Sequence, residues 1–345
     1  MDNLFNFWKN KNVLITGHTG FKGSWMSMFL NQLGSRVVGL SDFKIVSDNY
    51  KFSDIKNVFD KEFKNDILDT KKLDNIFLKN QIDIVFHLAA QGIVSTASKL
   101  PLETIKTNIV GTYNLLEASN NSGVKTLVVS TTDKVYLNTS NNNIESDHLG
   151  GKEFYSASKA SSEHIISAFK NTRSRDDFNV GVVRSGNVLG GGDGAEDRII
   201  TDILYSLRNK KDITLRNPNA IRPWQFVLDS ILGYLLTAQH CDEKNKDEIF
   251  NLNSEKNNNL TVRNLVDVIC DYWPNNQSDI IIENSKFYET EILKIDSSKA
   301  KNILNWNAHT DLKSLAKLIV DWELNIENDS QYSMRQIKNY IENQS

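Results

Sequence analysis

The chain has 345 residues, a formal net charge of -3 and 24% charged residues with both signs interspersed. That is room for one large or two modest domains and gives no basic footprint for nucleic acid. Two cysteines, Cys241 and Cys270, lie far apart in helix-like patterns, so a reducing compartment is expected. No apolar run approaches the ~18 residues that span a bilayer, and the amino terminus has no basic region leading into an apolar one. The expectation is a soluble cytoplasmic protein with no membrane partner.

In chain order, Val13-Leu-Ile-Thr16 reads as a buried strand that runs into Gly17-His-Thr-Gly20-Phe-Lys-Gly23 and then a helical pattern from Trp25 to Leu33. Strand, glycine turn and helix suit a dinucleotide pyrophosphate, because glycines admit close backbone approach and the helix start offers free N–H groups. A plain tight turn is the alternative. Arg36 to Leu40 is a second strand, followed by Asp42, whose carboxylate would accept from ribose hydroxyls and repel a 2′-phosphate, favouring NAD over NADP. Lys44 stands close by. Asp66-Ile67-Leu-Asp69 could meet the adenine, with helix capping by Asp69 as the alternative. Asp83 to Ala90 is a further strand whose small residues would let a cofactor lie flat across its end. A helix from Leu102 to Ser119 and a strand from Lys125 to Ser130 follow.

That strand delivers Thr132, Asp133 and Lys134 to its carboxyl end, where open α/β sheets place ligands. Tyr155 and Lys159 stand four apart on one helix face. A cation beside a phenol favours phenolate, which makes the two a proton-transfer pair unless they are merely surface neighbours. The helix runs to about Lys170, and Val180 to Arg184 is another strand. Alternation at this spacing specifies a Rossmann-type, doubly wound parallel α/β sheet over about residues 1–185, with later strands from about 212–255. Residues 186–345 would form mainly a smaller, interleaved α/β substrate-binding lid. The glycines from Gly186 to Gly192 suggest backbone pressed against ligand, or else a flexible connection. Arg198 and Arg222, beside turn residues, could grip a diphosphate, though each alone would more often be a surface charge. Helices Ser230 to Gln239, Thr261 to Tyr272 and Leu312 to Asn325, with strands Glu248 to Leu252 and Ile280 to Ile282, complete the chain. The tail past Asp329 reads as polar and loosely helical, the Asn-rich stretches 138–143 and 257–259 as solvated loops. The histidines fit no metal pattern.

The motifs FWKNKNVLITGHTGFKGSW (Phe7 to Trp25), FHLAAQ (Phe86 to Gln91), TTDK (Thr131 to Lys134), GGKEFYSASK (Gly150 to Lys159), RSGNVLGGGDGAEDRIITD (Arg184 to Asp202) and RNPNAIRPWQFVLD (Arg216 to Asp229) span about two thirds of the chain. With them the sequence resembles the extended short-chain dehydrogenase/reductase family and, within it, the CDP-glucose 4,6-dehydratases. Lys134 directly after Asp133 is the telling residue, because dehydratases of other nucleotide sugars carry Glu there.

The resemblance implies an NAD-dependent reaction on a nucleotide sugar, CDP-glucose foremost, yielding CDP-4-keto-6-deoxyglucose. Tyr155, aided by Lys159 and Thr132, would take the O4 proton as the C4 hydride passes to NAD. Asp133 would protonate the departing C6 hydroxyl, and Lys134 would assist at C5 as base or as charged stabiliser of the enolate. The cofactor would be held by Gly17, Thr19, Gly20, Phe21, Lys22, Gly23, Asp42, Asp66, Ile67, Leu88, Ala89, Ala90, Thr107, Ser130, Tyr155 and Lys159. Gln91, Asn187, Arg198 and Arg222 would face the substrate. Pairing through the helices around Tyr155 to Lys170 and Leu102 to Ser119 implies a homodimer, with a tetramer open. The chain departs from the family at Gly92 to Ser98, where a basic and a phenolic group are usual, at Phe154 in place of Pro and at Gly194 in place of Trp. A 4-epimerase or reductase would share fold, cofactor and the Tyr155/Lys159 pair but has no use for Asp133 and Lys134. A non-catalytic NAD-binding protein would usually have lost one of the catalytic groups.

Overall fold

The structure, a computed structural model, describes residues 2–138, 140–283 and 290–344. Its strands are β1 (Asn12–Thr16), β2 (Arg36–Ser41), β3 (Phe59–Lys64), β4 (Ile84–His87), β5 (Thr126–Thr132), β6 (Asn179–Ser185), β7 (Val188–Leu189), β8 (Ile213–Leu215), β9 (Gln225–Phe226), β10 (Glu248–Leu252) and β11 (Ile280–Ile282). Seven of them form one parallel sheet in the order β10-β6-β5-β4-β1-β2-β3. The order reverses between β1 and β4, so the carboxyl ends of those two strands open onto a crevice.

Central strands are apolar throughout because helices cover both faces. Side-chain alternation sorts them: Val13 and Ile15 of β1 and Val128 of β5 enter one core, while Leu14, Leu127 and Val129 enter the core on the opposite face. The first core is roofed by α1 (Phe21–Gln32), buried around most of its girth by Trp25, Met26, Met28, Phe29 and Leu30. The second lies under α2 (Thr70–Asn80), α3 (Gly111–Asn121) and α4 (Phe154–Thr172).

The edge strand β3, FDKEFK, escapes the sequence reading because its polar residues lack the apolar signal of a buried strand; charge on an edge also discourages pairing with another chain. The expected single helix from Leu102 to Ser119 is broken into Pro101–Ile105, a π-helical turn at Lys106–Val110, and α3. Of the later strands expected to rejoin the large sheet only β10 does. Ile213–Leu215, three residues long, pairs with β11 instead.

Beyond β6 come α5 (Ile199–Arg208), α6 (Val227–Lys244), α7 (Val262–Tyr272), α8 (Ser298–Leu304), α9 (Leu312–Asn325) and α10 (Tyr332–Glu342). The tail is no loose helix. Tyr340 of α10 donates to Asp229 Oδ1 at 2.8 Å, and Ser333 donates to Asn49 Oδ1 at 2.6 Å. The Asn-rich stretches also differ from expectation: Asn143 and Asn257 are buried, Asn257 donating to the carbonyls of Trp224 and Thr310. Buried loop carbonyls left without a donor would be costly, and the short amide side chain satisfies two at once. Among the described residues no helix is long and apolar enough to cross a membrane.

Candidate active site

The residues singled out for cofactor, substrate and catalysis, Asp69 apart, line one cleft of about 650 Å³ over the carboxyl ends of β1, β4 and β5. One end is the glycine turn. Gly17 has φ +72, and a Cβ there would stand 2.8 Å from the Ala89 nitrogen; a Cβ on Gly23 would stand 2.2 Å from the Gly17 carbonyl oxygen. Only glycine lets β1, α1 and the Leu88–Ala90 segment meet this closely. Gly20 caps α1 without a side-chain bond, which leaves the positive end of the helix facing the cleft. Thr19 is taken up in the fold, bonding Ser41 Oγ at 2.8 Å and the Ile45 carbonyl at 2.7 Å. Phe21 is buried. The cradle fits a dinucleotide pyrophosphate.

At the outer end Asp42 and Asp66 share the cleft wall with Lys44, whose Nζ lies 3.2 Å from Asp42 and 3.8 Å from Asp66. The ribose-binding carboxylate expected at Asp42 is thus accompanied by a cation. Asp69 serves as the cap of α2, accepting from the Lys72 nitrogen. Ile67 reaches inward so far that a Cβ on Gly111 would stand 2.4 Å from its Cδ1. Thr107 lines the wall from the π-helical turn.

The floor is tied together by a residue that sequence reasoning missed. Asn108, fully buried in the π-helical turn, accepts from the Gln91 nitrogen at 2.9 Å and donates to the Gln91 carbonyl at 3.0 Å and to Ser158 Oγ at 2.8 Å. It clamps the end of β4 to α4; a buried Asn in a helix interior is its signal in the sequence. Gln91 turns its amide to Ile93 and Thr104. His87 bridges Thr16 Oγ1 at 2.9 Å and Thr112 Oγ1 at 3.0 Å. Thr112 spends its proton on the Asn108 carbonyl, so His87 Nε2 donates to it and Nδ1 accepts from Thr16. Burial, with the Lys159 charge adding to it, brings His87 down to about 3.

Catalytic candidates meet at the end of β5. Glu153, unnoticed in the sequence, caps α4 by accepting from the Tyr155 and Ser156 nitrogens and fixes the start of the helix. Tyr155 and Lys159 then share the face turned to the cleft. Lys159 is buried and donates to the Ser130 carbonyl at 2.9 Å; burial and then the charge of Lys22 bring it down to about 7. Tyr155 is pushed up to about 12 by burial, only partly offset by a hydrogen bond with Thr132 and by the Arg198 charge. The lowering expected from Lys159 therefore does not govern the phenol here: desolvation outweighs it.

Asp133 is buried, accepts from Thr132 Oγ1 at 2.9 Å, and its second oxygen Oδ2 has no hydrogen-bond partner. Burial holds it above the usual carboxylate range against the opposing charges of Lys134 and Arg222. It is a carboxyl group disposed to carry a proton.

On the substrate side Arg198 lies 3.4 Å from buried Asp193, another residue missed in the sequence. Arg222 donates to the carbonyls of Ile221 and Glu291, and its charge acts on Asp133. Asn187 lines the same wall. The glycine loop is packed against protein rather than ligand: a Cβ on Gly191 would stand 2.1 Å from the Trp322 ring, one on Gly190 2.6 Å from Val227, and one on Gly192 2.5 Å from the Asn49 nitrogen. Ser95, in the segment that departs from the family, donates to Asp197 Oδ2 at 2.6 Å across the cleft. Among the described residues no group of His, Cys, Asp and Glu could hold a metal.

Residues 14–319 match the family model described as GDP-mannose 4,6 dehydratase. The chain is 37% identical to the CDP-glucose 4,6-dehydratase of Salmonella typhimurium, over 92% of this chain and 91% of that one. It is 28% identical to the dTDP-glucose 4,6-dehydratase of Haemophilus influenzae, over 91% and 98%. Among solved structures, a UDP-glucose 4-epimerase from Stenotrophomonas maltophila with bound NAD superposes with a TM-score of 0.83 at 21% identity, covering 92% of this chain and 99% of that one. The dTDP-glucose 4,6-dehydratase of Bacillus anthracis in complex with NAD does so with a TM-score of 0.78 at 21% identity, over 92% and 98%.

Proposed function

The chain belongs to the GDP-mannose 4,6 dehydratase family, and from that premise we propose that it is an NAD-dependent CDP-glucose 4,6-dehydratase that forms CDP-4-keto-6-deoxyglucose. The single observation that carries the dehydratase reading is Asp133: a buried carboxyl held above its ordinary range, on the same strand end as Thr132 and Lys134 and in the same cleft as Tyr155 and Lys159. An epimerase needs no acid at C6. Lys134 following Asp133, and 37% identity to a protein of that activity, support CDP-glucose as substrate.

When bound, NAD would supply the hydride acceptor for C4 and the hydride donor for C6. Gly17, Gly20 and Gly23 would cradle its pyrophosphate, Leu88 to Ala90 would support it, and Asp42 with Asp66 would meet the adenosine end. Tyr155 takes the proton of the sugar O4, with Thr132 as its hydrogen-bond partner and Lys159 as the nearby ammonium. Once C4 is a ketone the C5 proton is acidic. Lys134 removes it or stabilises the enolate, and Asp133 delivers its proton to the C6 oxygen so that water departs. Arg198, Arg222, Asn187 and Gln91 face the nucleotide and diphosphate.

Residues 1–185 with β10 are read as the NAD-binding part and residues 186–345 mainly as the substrate part. Exposed Leu102, Ile105, Val110 and Tyr113 on the segment between β4 and β5 support pairing into a homodimer. A cytoplasmic site of action accords with the nucleotide-sugar substrate.

The test is incubation of the purified protein with CDP-, dTDP-, GDP- and UDP-glucose in deuterated solvent, followed by mass spectrometry. Loss of water offset by one deuterium at C5 is expected with CDP-glucose. Dehydration of none of the four, with NAD bound, would remove the reading.

A further inference from the structure

Lys22 belongs to the glycine turn, yet its side chain crosses the cleft floor. Its Nζ donates to Ser130 Oγ at 3.0 Å and to Tyr234 OH at 3.2 Å, and those two hydroxyls are 2.7 Å apart. Helix α1, strand β5 and helix α6 meet at this point. From the other side Lys159 Nζ donates to the Ser130 carbonyl at 2.9 Å. Two ammonium groups therefore hold one residue, one on its hydroxyl and one on its carbonyl. The two hydroxyl partners of Lys22 are neutral, for burial keeps the Tyr234 phenol well above its ordinary range.

We propose that Lys22 is a positioning residue for the dehydration: seated on Ser130 Oγ and Tyr234, it holds the residue whose carbonyl Lys159 grips and sets a like charge beside the Lys159 ammonium. The proposal rests on the dehydratase reading of Tyr155 and Lys159.

The charged and titratable groups around the pair are few. Lys159 is faced by Lys22 from α1, by Tyr155 one turn before it and Glu163 one turn after it on α4, and by His87 of β4, which burial keeps neutral. After burial itself, Lys22 is the strongest influence on Lys159, with Glu163 opposing. Lys22 is faced by Arg198, which lowers it further, and by Asp133 and Asp193, which oppose; burial leads these influences and brings it down to about 8. Removing the Lys22 charge must raise the pKa of Lys159.

The experiment is an NMR titration of the full-length protein carrying ε-13C-lysine, the Lys159 resonance being assigned by its loss in Lys159→Met. In Lys22→Met the Lys159 midpoint is expected to rise by about 1 unit or more, and in Lys22→Arg to stay with the wild type. Lys22→Gln, which keeps a donor for Ser130 and Tyr234 without the charge, must rise as well and serves if Lys22→Met does not fold. The pH profile of kcat for dehydration should move in the same direction. An unmoved midpoint in folded Lys22→Met or Lys22→Gln overturns the proposal, even where dehydration is intact. A risen midpoint in a protein that dehydrates none of the nucleotide sugars leaves the charge coupling standing and removes the dehydratase reading alone.

Discussion

Asp133 and Lys134 are neighbours on the chain with opposite tasks in the proposed reaction, and their environments separate them. Burial keeps the Asp133 carboxyl protonated more readily than a surface Asp, while Lys134 remains partly open to the cleft. Asp133→Asn keeps the shape and loses the acid, so kcat for 4-keto-6-deoxy product should fall about 100-fold to 10,000-fold, with dinucleotide binding retained in a fluorescence titration. Lys134→Ala should likewise abolish most product formation; full activity in both variants would refute the assignment. His87 yields a stability prediction. Its folded value of about 3 lies below its ordinary value of 6.5, so the unfolded chain binds a proton that the folded chain refuses. Stability should therefore be whole above pH 6.5 and decline as pH falls from there toward 3. Urea titrations at pH 7 and pH 5 measure this, and His87→Gln should flatten the difference.

Helix α4 carries Tyr155 and Lys159, and what fixes its distance from β5 is a buried ion pair. Glu163 accepts from Arg184 Nε of β6 at 3.0 Å and from Thr131 Oγ1 of β5 at 2.7 Å. Breaking such a pair from one side leaves an uncompensated buried charge and costs about 3–5 kcal/mol. Glu163→Gln and Arg184→Met should each lower the unfolding free energy obtained from urea titration by that order, whereas the double variant should lose less than the sum of the two. Helix α9 is held in a different way. Trp322 packs against Gly191 and donates from Nε1 to Ser333 Oγ at 2.8 Å, while Trp25 donates to the Gly191 carbonyl at 3.0 Å. Trp322→Ala should cost about 3–5 kcal/mol, measured by thermal unfolding. Gly191→Ala should be destabilising too, because its Cβ meets a ring that has nowhere to move.

At the scale of the molecule the carboxyl-terminal helix α10 closes the first core, with Ile337, Tyr340 and Ile341 in it. Asp229 of α6 accepts from Tyr340 OH and from the Thr310 nitrogen at 3.1 Å. Tyr340→Phe leaves that buried carboxylate one donor short, at about 1–3 kcal/mol, and native-state hydrogen exchange should then report α10 opening before the sheet.

Six of the seven strands of the large sheet were legible in the sequence, because a strand covered on both faces must be continuously apolar and its turns must contain glycine or a polar stop. β3 was not, since an edge strand answers to water and needs no such run. The glycine turn and the Tyr155/Lys159 spacing were equally legible, being demands of local backbone geometry. Whether Asp133 is dry, which residue Lys22 reaches, that Asn108 ties β4 to α4, and that Gly190 to Gly192 press on Trp322 and Asn49 rather than on a ligand were decided only by tertiary structure. Local sequence sets periodicity and turn chemistry within a few residues, but burial and charge coupling depend on groups brought together from more than a hundred positions apart, as Lys22, Ser130 and Tyr234 are.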